Sequence, residues 1–182
     1  IRDSSFTTED IVGPSLSSST PADDATAVTE GSNIVLTFNE VVDVESGNIV
    51  IYKSSDDSVI ETIDVTSGQV TGSGTSQITI DPSVTLESTT EYYVKIDATA
   101  FDDPSSNSYA GINDKTSLSF TTGDTTAPLL STSIPLDNAT AVAEGSNIVL
   151  TFNEVVDIES GNIVIYKTSD NSVFETIDVT SN

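Results

Sequence analysis

Carboxylates are the side chains of this sequence that could do chemistry. The stretch FNEVVDVESGNIVIYK, from Phe38 to Lys53, returns as FNEVVDIESGNIVIYK from Phe152 to Lys167. Each copy places three acids between two apolar runs: Glu40, Asp43 and Glu45 in the first copy, and Glu154, Asp157 and Glu159 in the second. Acids in this arrangement could form a catalytic pair, bind a metal ion, or belong to the solvated turn of a structural repeat.

The composition narrows these options. The chain of 182 residues has no Cys and no His, which excludes disulfides, thiolate metal sites, His bases and Ser-His-Asp triads. It carries 29 acidic against 5 basic residues, and a net charge of −24 repels nucleic acids and anionic lipid surfaces. We therefore expect no nucleic-acid partner. We also expect no membrane insertion in this segment, because no apolar run approaches the roughly 18 residues of a membrane span.

Catalysis by the paired acids is the first reading to weigh. A glycosidase needs two carboxylates about 5–10 Å apart beside a cleft with aromatic platforms. Glu40 and Asp43 could reach that separation, but the chain has no Trp. A small domain that is repeated almost verbatim also offers little room for a deep pocket. We therefore predict that the protein is not an enzyme, and we assign no catalytic residue.

An internal repeat organises the chain. Pro14–Ser67 aligns with Pro128–Ser181 with ten differences in 54 positions, and SFTTED at Ser5–Asp10 matches SFTTGD at Ser119–Asp124. This alignment predicts three parts: residues 1–12 are the last strand of a preceding repeat and a linker, residues 13–123 are a complete repeat, and residues 124–182 are a linker and the N-terminal half of the next repeat. Near-identical neighbours are typical of a tandem array in a long chain.

Apolar and polar residues alternate inside the repeat, which predicts β-strands. Ile34, Leu36 and Phe38, for example, alternate with Val35, Thr37 and Asn39. Short strands rich in β-branched residues and broken by turn residues predict an all-β fold, an antiparallel β-sandwich with about seven strands per complete repeat. The predicted strands are 14–20, 33–40, 48–53, 58–65, 76–81, 91–98 and 115–121, with a short additional strand near 69–71.

The segment LESTTEYYVKI (Leu86–Ile96) predicts a tyrosine corner. Tyr92 follows Leu86 by six residues and precedes Val94 and Ile96, as at the corner of a sandwich where a Tyr hydroxyl binds the backbone of the turn. The alternative is that Tyr92 is simply an aromatic residue of the strand.

The repeat resembles the bacterial Ig-like domain of S-layer proteins and large repetitive surface adhesins. The motifs that carry the resemblance are PADDATAV, FNEVVD, LESTTEY, DPSSN (Asp103–Asn107) and SFTTGD, and DTTAP (Asp124–Pro128) resembles an interdomain linker. Ser106 departs from the pattern, since the family usually has Gly there. The resemblance implies Ig-like sandwiches repeated in tandem and a passive spacer role in a secreted or cell-surface bacterial protein, such as an adhesin, an S-layer or an extracellular filament. It also implies calcium binding in some members.

A structural Ca²⁺ site is the more specific hypothesis for the acids. In an Ig-type sandwich two loops and the incoming linker meet at one pole, and oxygen ligands without nitrogen or sulfur suit Ca²⁺. Such an ion would stiffen the joint between neighbouring repeats of the same protein. The candidate ligands are Asp10, Glu40, Asp43, Asp102, Asp103 and Asn107 at the pole of the complete repeat, and Asp124, Glu154 and Asp157 at the next joint.

Two alternatives stay open. Acid-rich loops on an acidic protein are commonly just solvated, and Asp and Asn cap turns through bonds to their own backbone. The runner-up function is a carbohydrate-binding or other ligand-binding β-sandwich module, which would need an exposed aromatic strip. Tyr52, Tyr93 and Tyr109 are its only candidates in the complete repeat.

The second copy predicts a further partner. A half sandwich exposes its core face and its strand edges, and such edges recruit other strands. We therefore expect either self-association through the second copy, for instance by strand addition of Ser4–Thr8, or a longer continuous chain of repeats.

Overall fold

The computed structural model describes residues 7–181, which form strands, turns and loops. The chain divides into two compact units, Ile1–Thr125 and Thr126–Asn182, and each is described by itself below. Across residues 7–181, no helix is long and apolar enough to cross a membrane.

The first unit has ten strands in its described part. They are β1 (Leu16–Thr20), β2 (Ala25–Val28), β3 (Ile34–Val44), β4 (Asn48–Lys53), β5 (Val59–Asp64), β6 (Val70–Thr71), β7 (Thr75–Ile80), β8 (Glu91–Ile96), β9 (Phe101–Asp102) and β10 (Ser119–Thr122). One sheet has the order β1-β3-β7-β6, with β9 on the far end of β3, and the other has the order β2-β10-β8-β4-β5. All pairs are antiparallel except β2 with β10, which is parallel. The predicted all-β sandwich is confirmed.

The core lies between the two sheets and follows the alternation of the sequence. Along β3, Ile34, Leu36 and Phe38 are buried, whereas the residues between them are only partly covered. At one end of the core, Phe38 meets the rings of Phe101 and Tyr109 edge-on, with centroids 5.5 and 5.2 Å away. Burial of this apolar surface, at about 25 cal/mol per Å², is the main force that holds the sheets together.

The tyrosine corner is confirmed. The Glu87 N–H donates a hydrogen bond to Tyr92 Oη at 2.9 Å, and Leu86 is buried beside it. The hydroxyl therefore satisfies a backbone group of the turn that joins the two sheets.

Two strands were not predicted, and one extends further than predicted. β2 is four residues long and has positive φ at Ala27 (56°), so it shows no regular alternation. β9 has only two residues. β3 continues past residue 40 because Val42 pairs with β7 and Asp43 pairs with β9. The predicted end of this strand at residue 40 is therefore wrong, because Asp43 as well as Glu40 lies within β3.

The second unit repeats part of the first. Its strands are β11 (Leu130–Ile134), β12 (Val149–Phe152), β13 (Asn162–Tyr166) and β14 (Val173–Asp178), paired as β11-β12 and β13-β14. The registers are the same as in the first unit: Leu130 faces Phe152 as Leu16 faces Phe38, and Ile163 faces Ile177 as Ile49 faces Ile63. Among the described residues of this unit, no strand corresponds to β7, β8 or β10.

Candidate metal centre

Three carboxylates from separate segments lie together in the first unit. Asp10 precedes β1, Glu40 lies in β3, and Asp103 directly follows β9. One oxygen from each carboxylate lies within 4.8 Å of the other two. The burial is graded, because Asp10 is exposed, Glu40 is half-buried and the Asp103 residue is only 3% exposed. The fold thus brings together residues that lie up to 93 positions apart in the sequence, Asp10 and Asp103.

The turn Asp103–Asn107 is built around the Asp103 carboxylate. Its Oδ1 accepts the N–H groups of Ser105 and Asn107, both at 2.8 Å. Its Oδ2 accepts the side-chain amide of Asn107 at 2.8 Å. Ser106 has a φ of 66°, a left-handed conformation that favours Gly. The carboxylate side chain thus closes the turn.

These bonds also set the charge of the Asp103 side chain. The hydrogen bond from Asn107 lowers the pKa of Asp103 below its ordinary value, against a smaller opposing effect of burial, and the backbone N–H groups of Asn107 and Ser105 lower it further. Asp103 is therefore an anion at neutral pH, and the least exposed of the three acids is also ionised.

Asn107 links the turn to the segment before β1. Besides its bond to Asp103, its Nδ2 donates to the Asp10 carbonyl oxygen at 3.1 Å. The same segment lies tightly on the turn at Gly13, where a Cβ atom would come within 2.4 Å of the Ser108 carbonyl oxygen. Asn107 was predicted as a ligand, but its amide nitrogen donates to Asp103 Oδ2 and to the Asp10 carbonyl, so this residue positions Asp103 and the segment before β1. Gly13 was missed because the close approach that requires it is tertiary.

Glu40 is held by its neighbour in β3. Asn39 Nδ2 donates to Glu40 Oε1 at 3.3 Å. Asn39 is itself fixed to Ser15, whose N–H donates to Asn39 Oδ1 at 2.6 Å and whose carbonyl accepts the Asn39 N–H at 3.0 Å. These hydrogen bonds hold the Glu40 side chain near Asp10 and Asp103.

Asp43 and Asp102 lie elsewhere. They are direct partners in the β3–β9 pair, and Ser73 Oγ lies 3.5 Å from Asp43 Oδ1. The three-carboxylate group includes neither of them. Like charges directly opposite each other on paired strands are destabilising, so this pair adds a second local concentration of negative charge.

The acids predicted for the next joint fall in different units. Asp124 belongs to the first unit and lies 3.5 Å from Ser88 Oγ, whereas Glu154 and Asp157 belong to the second, half-buried and exposed respectively. Within the described part of the chain, the group of acids close enough to share a cation contains none of the three. A site at this joint stays a prediction.

The donor set of Asp10, Glu40 and Asp103 fits a hard divalent cation. All three ligands are carboxylate oxygens, and their mutual repulsion would be relieved by a positive ion between them. Ca²⁺ takes six to eight oxygen ligands in forgiving geometry, so water and backbone carbonyls would complete the shell. The alternative hypothesis, that the three acids are simply solvated, has the same geometry and differs from the calcium hypothesis only in that no ion is bound.

The tyrosines do not form an exposed strip. Tyr109 is buried in the core against Phe38, and Tyr93 is buried on the outer face of β8. The Tyr93 ring stacks on Tyr52 at 4.9 Å, and Lys115 Nζ lies 5.4 Å from its centre. Only Tyr52 of the three is partly accessible, so these residues offer no flat platform for a sugar.

The two-sheet sandwich, the tyrosine corner and the acidic turn together define an Ig-like domain. The profile of the bacterial Ig-like domain family matches residues 10–122 and again residues 124–182, so this chain belongs to that family and carries the domain in tandem.

Solved structures are similar to the chain at low identity. One is CopC from Methylosinus trichosporium OB3b, with 16% identity over 63% of this chain and 97% of that chain and a TM-score of 0.45. Two are S-layer proteins: rSbsC(31-844), with 14% identity over 89% of this chain and 22% of that chain, and the N-terminal part of SbsC, with 15% identity over 89% and 37%, each with a TM-score of 0.39. The chain thus spans well under half of either S-layer structure. No curated protein matches the chain.

Proposed function

We propose that this chain is a non-catalytic structural spacer of a secreted or cell-surface bacterial protein, such as an adhesin, an S-layer or an extracellular filament. The observation that carries the proposal is the tandem match to one Ig-like domain family along residues 10–122 and 124–182. A spacer gains length by repetition, and its immediate partners are the neighbouring repeats of the same protein.

The chemistry of the chain supports this role. The sequence lacks His and Cys, and the carboxylates that come together belong to the segment before β1, to β3 and to the turn after β9. A net charge of −24 keeps repeats soluble and repels them from one another. This repulsion opposes close contact between neighbouring repeats, as a spacer requires.

Ca²⁺ is the structural cofactor in this proposal. Its ligands are Asp10, Glu40 and Asp103, supported by the 4.8 Å spacing of their oxygens. Because these residues belong to the incoming segment, to β3 and to the turn after β9, one ion would tie the entrance of the domain to both. That linkage would stiffen the chain where it enters the sandwich.

Thermal unfolding with Ca²⁺ against a chelator tests the cofactor. At a free Ca²⁺ concentration 100 times the Kd, binding stabilises the folded state by about 2.7 kcal/mol. Mg²⁺ at the same concentration is expected to stabilise less, because it requires stricter octahedral geometry. An identical melting temperature in Ca²⁺ and chelator would remove the calcium part and leave the spacer part standing.

Labelling of intact cells tests the spacer role separately. An antibody raised against this chain is expected to label unpermeabilised bacteria that produce the parent protein, and external protease is expected to remove the label. Labelling that requires cell lysis would contradict a surface location.

A further inference from the structure

Two tyrosines are stacked on the outer face of the sheet β2-β10-β8-β4-β5. Tyr52 of β4 and Tyr93 of β8 are direct partners on neighbouring strands. Their ring centroids are 4.9 Å apart, and the planes of the rings differ by only 4°. Among the ring contacts of the residues that the structure describes, this is the only one between two tyrosines. The register of the β4–β8 pair therefore holds two phenol rings face to face.

The composition directs oxidation to the tyrosines. Sulfur side chains are the usual targets of oxidants, but this chain has no Cys and no Met, and it also lacks Trp and His. Tyrosine is then the most readily oxidised side chain that remains. Of the five tyrosines, three are buried, which leaves Tyr52, half-buried, and Tyr166, 53% exposed, within reach of a dissolved oxidant.

The stack extends this reach to the buried ring of the pair. Tyr93 is only 2% exposed, so an oxidant in solution does not meet it directly. Its ring lies against that of Tyr52, and this contact lets Tyr93 pass an electron to an oxidised Tyr52. Both rings can therefore be oxidised through one accessible position.

The Tyr93 hydroxyl has a proton acceptor in place. Tyr93 Oη donates a hydrogen bond to Asp57 Oδ1 at 3.1 Å, and Lys115 Nζ donates to the same oxygen. The bond from Lys115 lowers the pKa of Asp57 below its ordinary value, against a smaller opposing effect of burial, and the bond from Tyr93 lowers it further. Asp57 is therefore an anion at neutral pH, and it can take the proton that an oxidised phenol releases.

We propose that Tyr52 and Tyr93 form a site of oxidative cross-linking, at which a peroxide oxidant joins the two rings as dityrosine. Each phenol loses one electron and one proton; the Tyr93 proton passes to Asp57 and the Tyr52 proton to water. The two phenoxyl radicals form a carbon–carbon bond between ring carbons ortho to their oxygens. The hydrogens on those carbons then move to the oxygens and restore both phenols. In sum the protein loses two hydrogen atoms, and one hydrogen peroxide is reduced to two waters.

The cross-link joins two inner strands of the sheet, β8 and β4. It closes a loop that contains residues 53–92 and so restricts the unfolded chain, as a disulfide does. The chain itself has no Cys from which to form a disulfide. The inference concerns a covalent modification of the sandwich and depends neither on the spacer role nor on bound Ca²⁺.

Oxidation of the purified chain with hydrogen peroxide and a haem peroxidase tests the proposal. The protein is kept dilute, so that coupling between molecules is slow. The monomer is expected to gain the blue fluorescence of dityrosine and to lose the mass of two hydrogens. Mass spectrometry of its proteolytic fragments should place the new bond between Tyr52 and Tyr93, and the melting temperature of the cross-linked monomer should rise.

Three variants show whether the stacked pair is the site. Tyr52→Phe and Tyr93→Phe keep the rings but remove one phenol each, so neither should form the cross-link within the chain. Tyr166→Phe is the matched control, because it removes the exposed tyrosine that corresponds to Tyr52 in the second unit. It should form the cross-link as the unmodified chain does. The melting temperature of each variant before oxidation checks that it folds.

Asp57→Asn tests the proton acceptor. The substituted side chain keeps an acceptor oxygen but is no longer a base, so the initial rate of cross-linking should fall. The turn accepts Asn, because Asn171 occupies the corresponding position of the second unit with a φ of 58°, against 59° at Asp57. Asp56→Asn is the control, because Asp56 bonds to Ser58 rather than to Tyr93, and it should leave the rate unchanged.

Three results would each overturn the proposal. They are a treated monomer that does not lose two hydrogens, a cross-link within the chain that persists in Tyr52→Phe or Tyr93→Phe, and a bond that maps to other tyrosines. An unchanged rate in Asp57→Asn would overturn the assignment of Asp57 as the proton acceptor.

Discussion

Asn107 Nδ2 donates a hydrogen bond to Asp103 Oδ2 at 2.8 Å and thereby fixes the charged side chain on which the turn closes. With the two backbone N–H groups at Oδ1, it lowers the pKa of Asp103. We expect Asp103 to titrate below the ordinary Asp value of about 3.9. Carboxyl carbon chemical shifts followed by NMR against pH would measure this. Asn107→Ala should move the midpoint upward, and an unmodified protein that titrates at or above the ordinary value would contradict the assignment.

The same shift predicts a pH dependence of stability. The pKa of Asp103 is lower in the folded than in the unfolded state, so its ionised form stabilises the protein above the unfolded value. That contribution is lost as pH falls from about 4 through the folded pKa. The difference in unfolding free energy between the unmodified chain and Asp103→Asn should therefore be larger at pH 7 than at pH 3, measured with urea. Asp102→Asn is the control, because it removes a neighbouring charge and leaves the bonds to Asp103 in place.

Gly13 should not tolerate a side chain. A Cβ atom there would lie 2.4 Å from the Ser108 carbonyl oxygen, which is backbone and cannot swing away. We expect Gly13→Ala to lower the unfolding free energy by about 1–3 kcal/mol, the usual range for overpacking, as measured by urea denaturation. Gly31→Ala is the matched control, because a Cβ at Gly31 has no neighbour within 4 Å. Equal stability of the two variants would show that the segment before β1 does not pack as described.

The alternation of apolar residues was sufficient to predict the long strands. Ile34, Leu36 and Phe38 lie on one side of β3 because successive side chains of a strand point to opposite faces. The tyrosine corner was equally predictable, since its hydrogen bond spans only five residues of sequence. Local patterns thus determine the parts of the fold whose partners are close in the chain or set by periodicity.

The site was only partly predictable, because its geometry depends on register. Asp102 and Asp103 are adjacent in sequence, yet only Asp103 joins Asp10 and Glu40, since Asp102 pairs with Asp43 on the β3–β9 ladder. No periodicity reveals a two-residue strand such as β9. Identical sequences likewise differ in burial between the two units, because burial depends on strands elsewhere in the chain rather than on the residue itself.

Removal of the Tyr92 hydroxyl should weaken the first unit. Tyr92→Phe keeps the ring in the core but leaves the Glu87 N–H without the acceptor it has at 2.9 Å. The expected cost is about 1–3 kcal/mol, the range for a lost hydrogen bond that leaves a buried donor unsatisfied. Urea denaturation of Tyr92→Phe would measure this cost. Tyr52→Phe is the matched control, because it removes a tyrosine hydroxyl that lies outside the corner. A Tyr92→Phe variant as stable as its control would indicate that water replaces the bond.

Glu40 provides the sharpest test of the calcium site. Glu40→Gln keeps the size of the side chain and leaves the Asp103 turn intact, but it removes one of the three charges whose oxygens lie within 4.8 Å of one another. We expect the variant to lose most of the rise in melting temperature that Ca²⁺ gives the unmodified chain, because Ca²⁺ affinity depends on the number of charged ligands. Isothermal titration calorimetry should show weaker Ca²⁺ binding in parallel.

Glu45→Gln is the matched control for that experiment. Glu45 directly follows β3, is exposed and lies outside the three-carboxylate group, so its substitution changes the net charge by the same amount at a nearby position. A specific site requires Glu45→Gln to keep the full Ca²⁺ effect. If both variants reduce it equally, Ca²⁺ acts by general screening of the acidic surface, and Asp10, Glu40 and Asp103 are solvated acids that share a pole of the sandwich.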